Sequence, residues 1–480
     1  MNPHLLIARN FRSNALKNRA VYILILFIGI LLAYAVVTSW AGFVRQNESI
    51  ARYQAQVRHD WLDNPDKHPH RMAHYGNFAF RPKAPLSIFD SGMESFFGNT
   101  VFLEAHKQNS VNFSEAGFST GMLRFGEISM AMVLQILLPL LIFFIGFASI
   151  AAERENGTLK IILTQGISWK QLLTGKVIGL AQIAMILFVP VMATTFLLWF
   201  FLQNGQISAD ETVRLVLVTL SYSIYLLFFC VIAVLVSAMS KTSKSALVSL
   251  IGLWLMLTIV LPRASQALGT YLYPAPLKVT FQANIEKDVL KEGDSHNPDD
   301  IHYKALKDSL LAAHQVDSTH ELPFNYSGFV MAEGEKISAR IYNAHFDNLM
   351  KVYDSQNSFS KAMAFLNPFM AIKNLSMSLA GTDYRTYTDF QKQAEAYRYA
   401  MAQKMNELQI KYISNKKPGP TDKPVVIDQK HWEEVPEFEY KSPKVGAVFQ
   451  YEATSFLAFI FWIALLVCLI QLLSNKLKVN

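Results

Sequence analysis

Six stretches without a single Asp, Glu, Lys or Arg constrain this chain more than any other feature, at 20–43, 128–152, 177–202, 215–239, 245–261 and 453–473. A helix crosses about 30 Å of hydrocarbon with about 20 apolar residues, so each stretch reads as a membrane span, the fifth being the shortest. Composition agrees: hydrophobic residues make up 51% and charged residues 17%, against about 25% charged in ordinary soluble proteins. The expected fold is an all-α polytopic membrane protein, with six transmembrane helices, an amphipathic elbow helix at 1–19 and a mainly helical extracytoplasmic domain. Both cysteines, Cys230 and Cys468, fall inside apolar stretches, so no disulfide framework is available outside the membrane.

Charge distribution sets the expected orientation. Residues 1–19, 153–176, 240–244 and 474–480 together carry about +10, and the segments on the opposite side about −3, which makes up the chain's formal +7. Basic residues are retained on the cytoplasmic side in short loops. Both termini are therefore expected in the cytoplasm, and 44–127 and 262–452 outside it. Since the basic excess is spent on topology, nucleic acid is not expected as a partner; membrane lipid is. The first span follows Arg9, Arg12, Lys17 and Arg19 but is too long for a signal-peptide core, and it reads as an uncleaved anchor.

Segment 262–452 shows helical periodicity, with Ile337, Ile341, His345 and Leu349, and again Tyr397, Met401, Met405, Leu408 and Tyr412, recurring every three or four residues. Breaks are expected at 293–298, at Pro323 and near Gly381, and the Pro-rich stretch from Lys416 to Pro443 reads as an extended arm. In segment 44–127 the first helix should project past Arg45, followed by loops and short strands.

The stretch Glu153-Arg154-Glu155-Asn156-Gly157-Thr158-Leu159 follows the second span. Mixed charge ends the span and Asn156-Gly157 suits a tight turn. Thr158 is expected to cap a short helix carrying Leu159, Ile162 and Leu163, with Gly166 ending it and a Ser168/Gln171 capping box opening the next. A short amphipathic element pinned between two spans can seat in a partner's groove; an ordinary interfacial turn is the plainer alternative.

At these residues the sequence resembles the permease subunits of second-class ATP-binding-cassette exporters. Glu153, Arg154, Glu155, Gly157, Thr158 and Leu159 match the family's coupling-helix stretch, and Ser237 through Ser243 looks like its link between spans four and five. In the elbow, Asn10 stands where relatives commonly carry an acidic residue. A bacterial subgroup with two large external insertions shows similar patterns, present here as His74-Tyr75-Gly76, Pro85-Leu86-Ser87, Leu103-Glu104-Ala105-His106, Leu379 through Asp383, Phe390 and Tyr397-Arg398. The resemblance implies a bacterial inner-membrane protein that exports an unidentified substrate. It implies ATP and Mg²⁺ bound by two copies of a separate ATP-binding subunit, a second permease, identical or related, and coupling through Glu153 to Leu159 with Ile162 and Leu163. A periplasmic or outer-membrane partner for the external domain is a further candidate.

This chain has no phosphate-binding loop of its own, because Gly175-Lys176 lacks both the upstream glycine and the following Ser or Thr. Neither His-Glu-x-x-His nor Gly-x-Ser-x-Gly occurs, so hydrolase chemistry has no recognisable frame and no cofactor is expected here. Among the histidines, His68, His70 and His74 have spacings a zinc or copper site can use; structural histidines in a polar loop are the plainer reading, and no metal is assigned. Asp383 and Arg398 are expected to stabilise the fold. Two other functions stand beside export: mechanical transmission from the ATPase to an external partner without solute flux, and a membrane metalloenzyme built on the histidines.

Overall fold

A computed structural model describes residues 2–109, 128–293, 295, 297, 300–415 and 425–476. Part of the first extramembrane segment, most of the expected arm's start and the last residues of the tail lie outside these. The protein is an all-α polytopic membrane protein, with six helices among the described residues long and apolar enough to cross a membrane: Arg19–Leu62, Met130–Glu155, Trp169–Leu202, Ala209–Met239, Ser243–Leu272 and Ala453–Asn475. Each contains most or all of one expected span and extends beyond it in at least one direction. The fifth continues past Leu261 to Leu272, so the segment 262–452 opens on the same helix.

The elbow helix, Pro3–Lys17, is capped by Asn2 and separated from the first span by Asn18 alone, whose side chain accepts from the Ala20 N–H. It lies in a trough on the third span. A Cβ added at Gly175 would sit 2.7 Å from Ile7 Cβ, and one at Gly179 2.8 Å from the Ala8 carbonyl. Two glycines one turn apart thus allow backbones to approach as they do at small-residue crossings between membrane helices. His4 Nδ1 with Thr174 Oγ1 (2.5 Å) and Arg12 with Gln182 Oε1 (2.9 Å) pin the ends. Asn10 is exposed and accepts a hydrogen bond from Asn14.

The second and fourth spans form the centre of the bundle. Gly146 packs where a Cβ would lie 2.7 Å from Ala233 Cβ and 2.9 Å from Leu180. Pro139 has no N–H to give the carbonyl of Gln135. The helix responds with a π-turn over Val133–Leu137, and Tyr225 of the fourth span donates to that carbonyl at 2.6 Å. The fifth span repeats the device: a π-turn at Met256–Val260 precedes Pro262, and Asn367 donates to the Leu257 carbonyl at 2.6 Å. Buried backbone groups in hydrocarbon must find such partners.

Outside the bundle, Asn77–Phe80 and Thr100–Leu103 pair antiparallel, Asn77 opposite Leu103. Four helices, Lys278–Lys291, Ile301–His314, Tyr326–Ala362 and Tyr384–Tyr412, make up most of the rest. Met401, Met405 and Leu408 bury into a core with Trp61, Met72, Leu103, Phe390 and Trp432. Trp61 and Trp432 exchange partners, the indole of Trp61 donating to the Trp432 carbonyl (3.0 Å) and that of Trp432 to the Asn64 carbonyl (3.1 Å). The first span's helix therefore runs from the membrane to the far core.

Helix Pro368–Ala380 departs from the expected division. Ile372, Leu375 and Leu379 join the main bundle core beside the fourth and sixth spans, so this part of 262–452 packs with the membrane helices. Gly381, at φ +69°, ends it, and Asp383 caps the next helix by accepting from Thr386 N (3.0 Å). The pattern Leu379 through Asp383 is thus a helix stop and a helix start.

Candidate functional site

The charged stretch after the second span occupies a junction. That span breaks after Gly146, and the turn at 147–150 is held by Ser237 of the fourth span. Its hydroxyl accepts from the Ile150 and Ala151 N–H groups, each at 3.0 Å, and donates to the Phe147 carbonyl at 2.7 Å. A last turn, Ala151–Glu155, then presents its charges in three directions.

Glu153 pairs with Lys176 at the base of the third span, and the Lys176 ammonium lies 5.2 Å from the Phe11 ring of the elbow. Arg154 donates to the carbonyls of Ala238, at 2.7 Å, and Ser240. It satisfies acceptors left open where the fourth span ends. Glu155 accepts from Ser243 Oγ at 2.5 Å, at the start of the fifth. Thr242 caps that helix by accepting from Ser245 N at 3.1 Å. Three consecutive residues therefore tie this turn to the third, fourth and fifth spans.

The short helix Thr158–Thr164 follows. Its N-cap is Gly157 in the left-handed region (φ +73°), and Thr158 is the first helical residue, its hydroxyl donating to the Glu153 carbonyl at 3.2 Å. The expected Thr158 cap is thereby corrected: a Gly cap lets the chain reverse where a Cβ would be strained. Leu159 is buried and Ile162 and Leu163 are half-buried against the bundle. Ile161 is 58% exposed, on a face with Lys160, Thr164 and Gln165. Gly166 (φ +85°) closes the element, and Ser168 and Gln171 form the expected capping box. Sequence reasoning did not bring Ser237, Lys176 and Ser243 to this turn. Ser237 and Ser243 lay in the link already singled out, but nothing local marked them as facing this turn.

The histidines regroup. His68 is not with the others: its Nδ1 accepts from the His70 N–H at 3.2 Å and caps helix Pro69–Tyr75. Burial, with the Arg71 charge nearby, lowers its pKa and suits it to cap as the neutral ring. His70 and His74 share one face, and His106, quoted in a motif but outside the metal candidates, joins them, with ligand nitrogens of all three within 4.8 Å of one another. His106 meets the buried Glu335, which accepts from its N–H at 2.9 Å and lies 3.2 Å from its Nδ1. Arg398 binds Glu335 at 2.7 Å and Glu395 at 2.7 Å, fulfilling its expected stabilising role. Burial alone pushes the Glu335 carboxyl up, but the hydrogen bond to His106 and the Arg398 charge outweigh it and hold the group at about 2.

Residues 96–261 match the family model described as ABC-2 family transporter protein, and 278–441 match one described as a domain of unknown function (DUF3526). The first match takes in the second to fourth spans, the fifth as far as Leu261 and both junction stretches, and it supports an ABC-2 type permease. No curated protein matches the chain.

Proposed function

We propose that this chain is the permease subunit of an ATP-driven exporter, with ATP and Mg²⁺ held by a separate ATP-binding subunit on each of two permeases, identical or related. The observation that carries the reading is the Glu153-Arg154-Glu155 junction. A short helix with an open face at Ile161 packs on the bundle through Leu159, Ile162 and Leu163 and follows directly on a turn fastened to three spans at once, so a push on that face is delivered to the bundle and not absorbed in a loose loop. Glu153, Arg154, Glu155, Gly157, Thr158, Leu159, Ile162 and Leu163 then serve as the coupling element: the charges fasten it, Gly157 turns it, and the three apolar side chains seat it. In this arrangement the site lies on the cytoplasmic side of a bacterial inner membrane.

Mechanical transmission without solute flux has its own support, the continuous helix Arg19–Leu62 that joins the bundle to the Trp61–Trp432 contact. Reconstitution into vesicles with the cognate ATPase separates the two: ATP-dependent flux supports export, and hydrolysis without flux supports transmission. Ile161→Asp should abolish co-purification of the ATPase while leaving the permease inserted. Undiminished co-purification and hydrolysis in that variant argue against the coupling assignment.

A further inference from the structure

His70 and His74 stand at i and i+4 on Pro69–Tyr75, where side chains share a face. Their ring centroids are 4.7 Å apart. The helix is fixed from both ends and beneath: His68 caps it, Gly76 at φ +73° ends it, and Met72 and Ala73 are buried in the extramembrane core. The Ala105 N–H donates to the Ala73 carbonyl at 3.2 Å and brings the end of strand Thr100–Leu103 alongside. His106 comes next, with φ +63°, a left-handed conformation uncommon for any residue other than glycine. That conformation sets its ring 5.6 Å from His70 and 5.4 Å from His74.

We propose that His70, His74 and His106 form a site for a divalent transition-metal ion, Zn²⁺ in the first instance. Three imidazoles and no primary carboxylate suit zinc, copper(II), nickel or cobalt and disfavour Ca²⁺ and Mg²⁺, which take oxygen ligands. A tetrahedral ion at about 2.0–2.1 Å from each nitrogen separates them by about 3.4 Å, so the observed spacing closes with small rotations of the rings. Glu335 supplies the outer partner that metal-bound histidines ordinarily have. It accepts from His106, fixes its tautomer with Nδ1 protonated and leaves Nε2 as the ligand atom. Glu335 is fully buried and is itself oriented by Arg398, which also reaches the Glu104 carbonyl at 3.2 Å. His74 is exposed while the other two are half-buried, so an ion has an open route and a solvent-side fourth position. Bound metal would clamp the short helix to the strand end. Through Glu335 and Arg398 it would also engage the two long helices Tyr326–Ala362 and Tyr384–Tyr412.

Full-length protein in detergent, with any affinity tag removed and the metal stripped by chelation, is titrated with Zn²⁺ against a chromophoric competitor. One ion per chain is expected, and Co²⁺ in its place should give the visible absorption of a low-coordinate nitrogen site. His74→Ala, on an exposed side chain, should weaken Zn²⁺ at least tenfold with the helical circular dichroism unchanged, and His106→Ala should do the same. Glu335→Gln should weaken it about 10- to 100-fold and alter the Co²⁺ spectrum, as expected of a positioning residue. His59→Ala, at a 74% exposed histidine outside the cluster, should leave both readouts unaltered. Absence of stoichiometric binding, or affinity indifferent to His74→Ala and His106→Ala in folded protein, overturns the proposal.

Discussion

Ser237 shows how much of the junction depends on one hydroxyl. It stands in for the missing helical partners of Ile150 and Ala151 and holds Phe147 as well. Ser237→Ala should destabilise the folded protein by about 1–3 kcal/mol, because buried N–H groups left without acceptors carry that order of penalty. A lowered thermal midpoint in detergent checks it; an unaltered one means that solvent reaches the turn. The charges from Glu153 to Glu155 were legible as a span terminator from their positions alone. Their partners were not: Lys176 lies 23 residues on and Ala238, Ser240 and Ser243 more than 80, and only the packing of the spans brings them near. The same reason explains the histidines. Local spacing put His68 with His70, yet His68 sits one residue before the helix and is used as its cap, whereas His106 arrives from the end of a strand.

At the level of elements, hydrophobic runs and caps foretold what exists, and side-chain volume decided what meets. The six spans, the elbow, the capping box at Ser168 and the stop at Gly381 follow from apolar length and from residue types at helix ends. The placement of Pro368–Ala380 in the bundle did not follow, because 13 residues are too few to register as a span and the same amphipathic pattern suits a water-facing domain. The seating of the elbow rests on Gly175 and Gly179. Gly179→Leu should lift it from the third span at a cost of about 1–3 kcal/mol, the usual scale for overpacking. A disulfide engineered between elbow and third span in the parent protein should then fail to form, while insertion of the spans is retained. Formation at the parental rate would show that the trough tolerates bulk.

Across the whole molecule, burial is uneven. In the most apolar stretch of each span, 67% of the second and 56% of the fourth are buried, but only 22% of the first, 22% of the fifth and 17% of the sixth. The outer three spans present Phe27, Ile30, Val248, Ile259 and Ile460 outward, a surface suited to lipid or to a second permease. Charge asymmetry gives the orientation a direct check. A single cysteine placed at Lys287 should react with a membrane-impermeant thiol reagent on intact cells from which the outer barrier has been removed. One placed at Lys241 should react only after the membrane is opened. The reverse labelling pattern would invert the topology and remove the junction from reach of a cytoplasmic ATPase. The helix that begins at Asn18 adds a consequence of scale. Its 44 residues form a shaft about 66 Å long, separated from the elbow by Asn18 alone and packed at the other end through Trp61. Were such a rod to pivot at its base by roughly 5°, its tip would swing about 6 Å, a stroke at the tryptophan pair wider than the diameter of a water molecule.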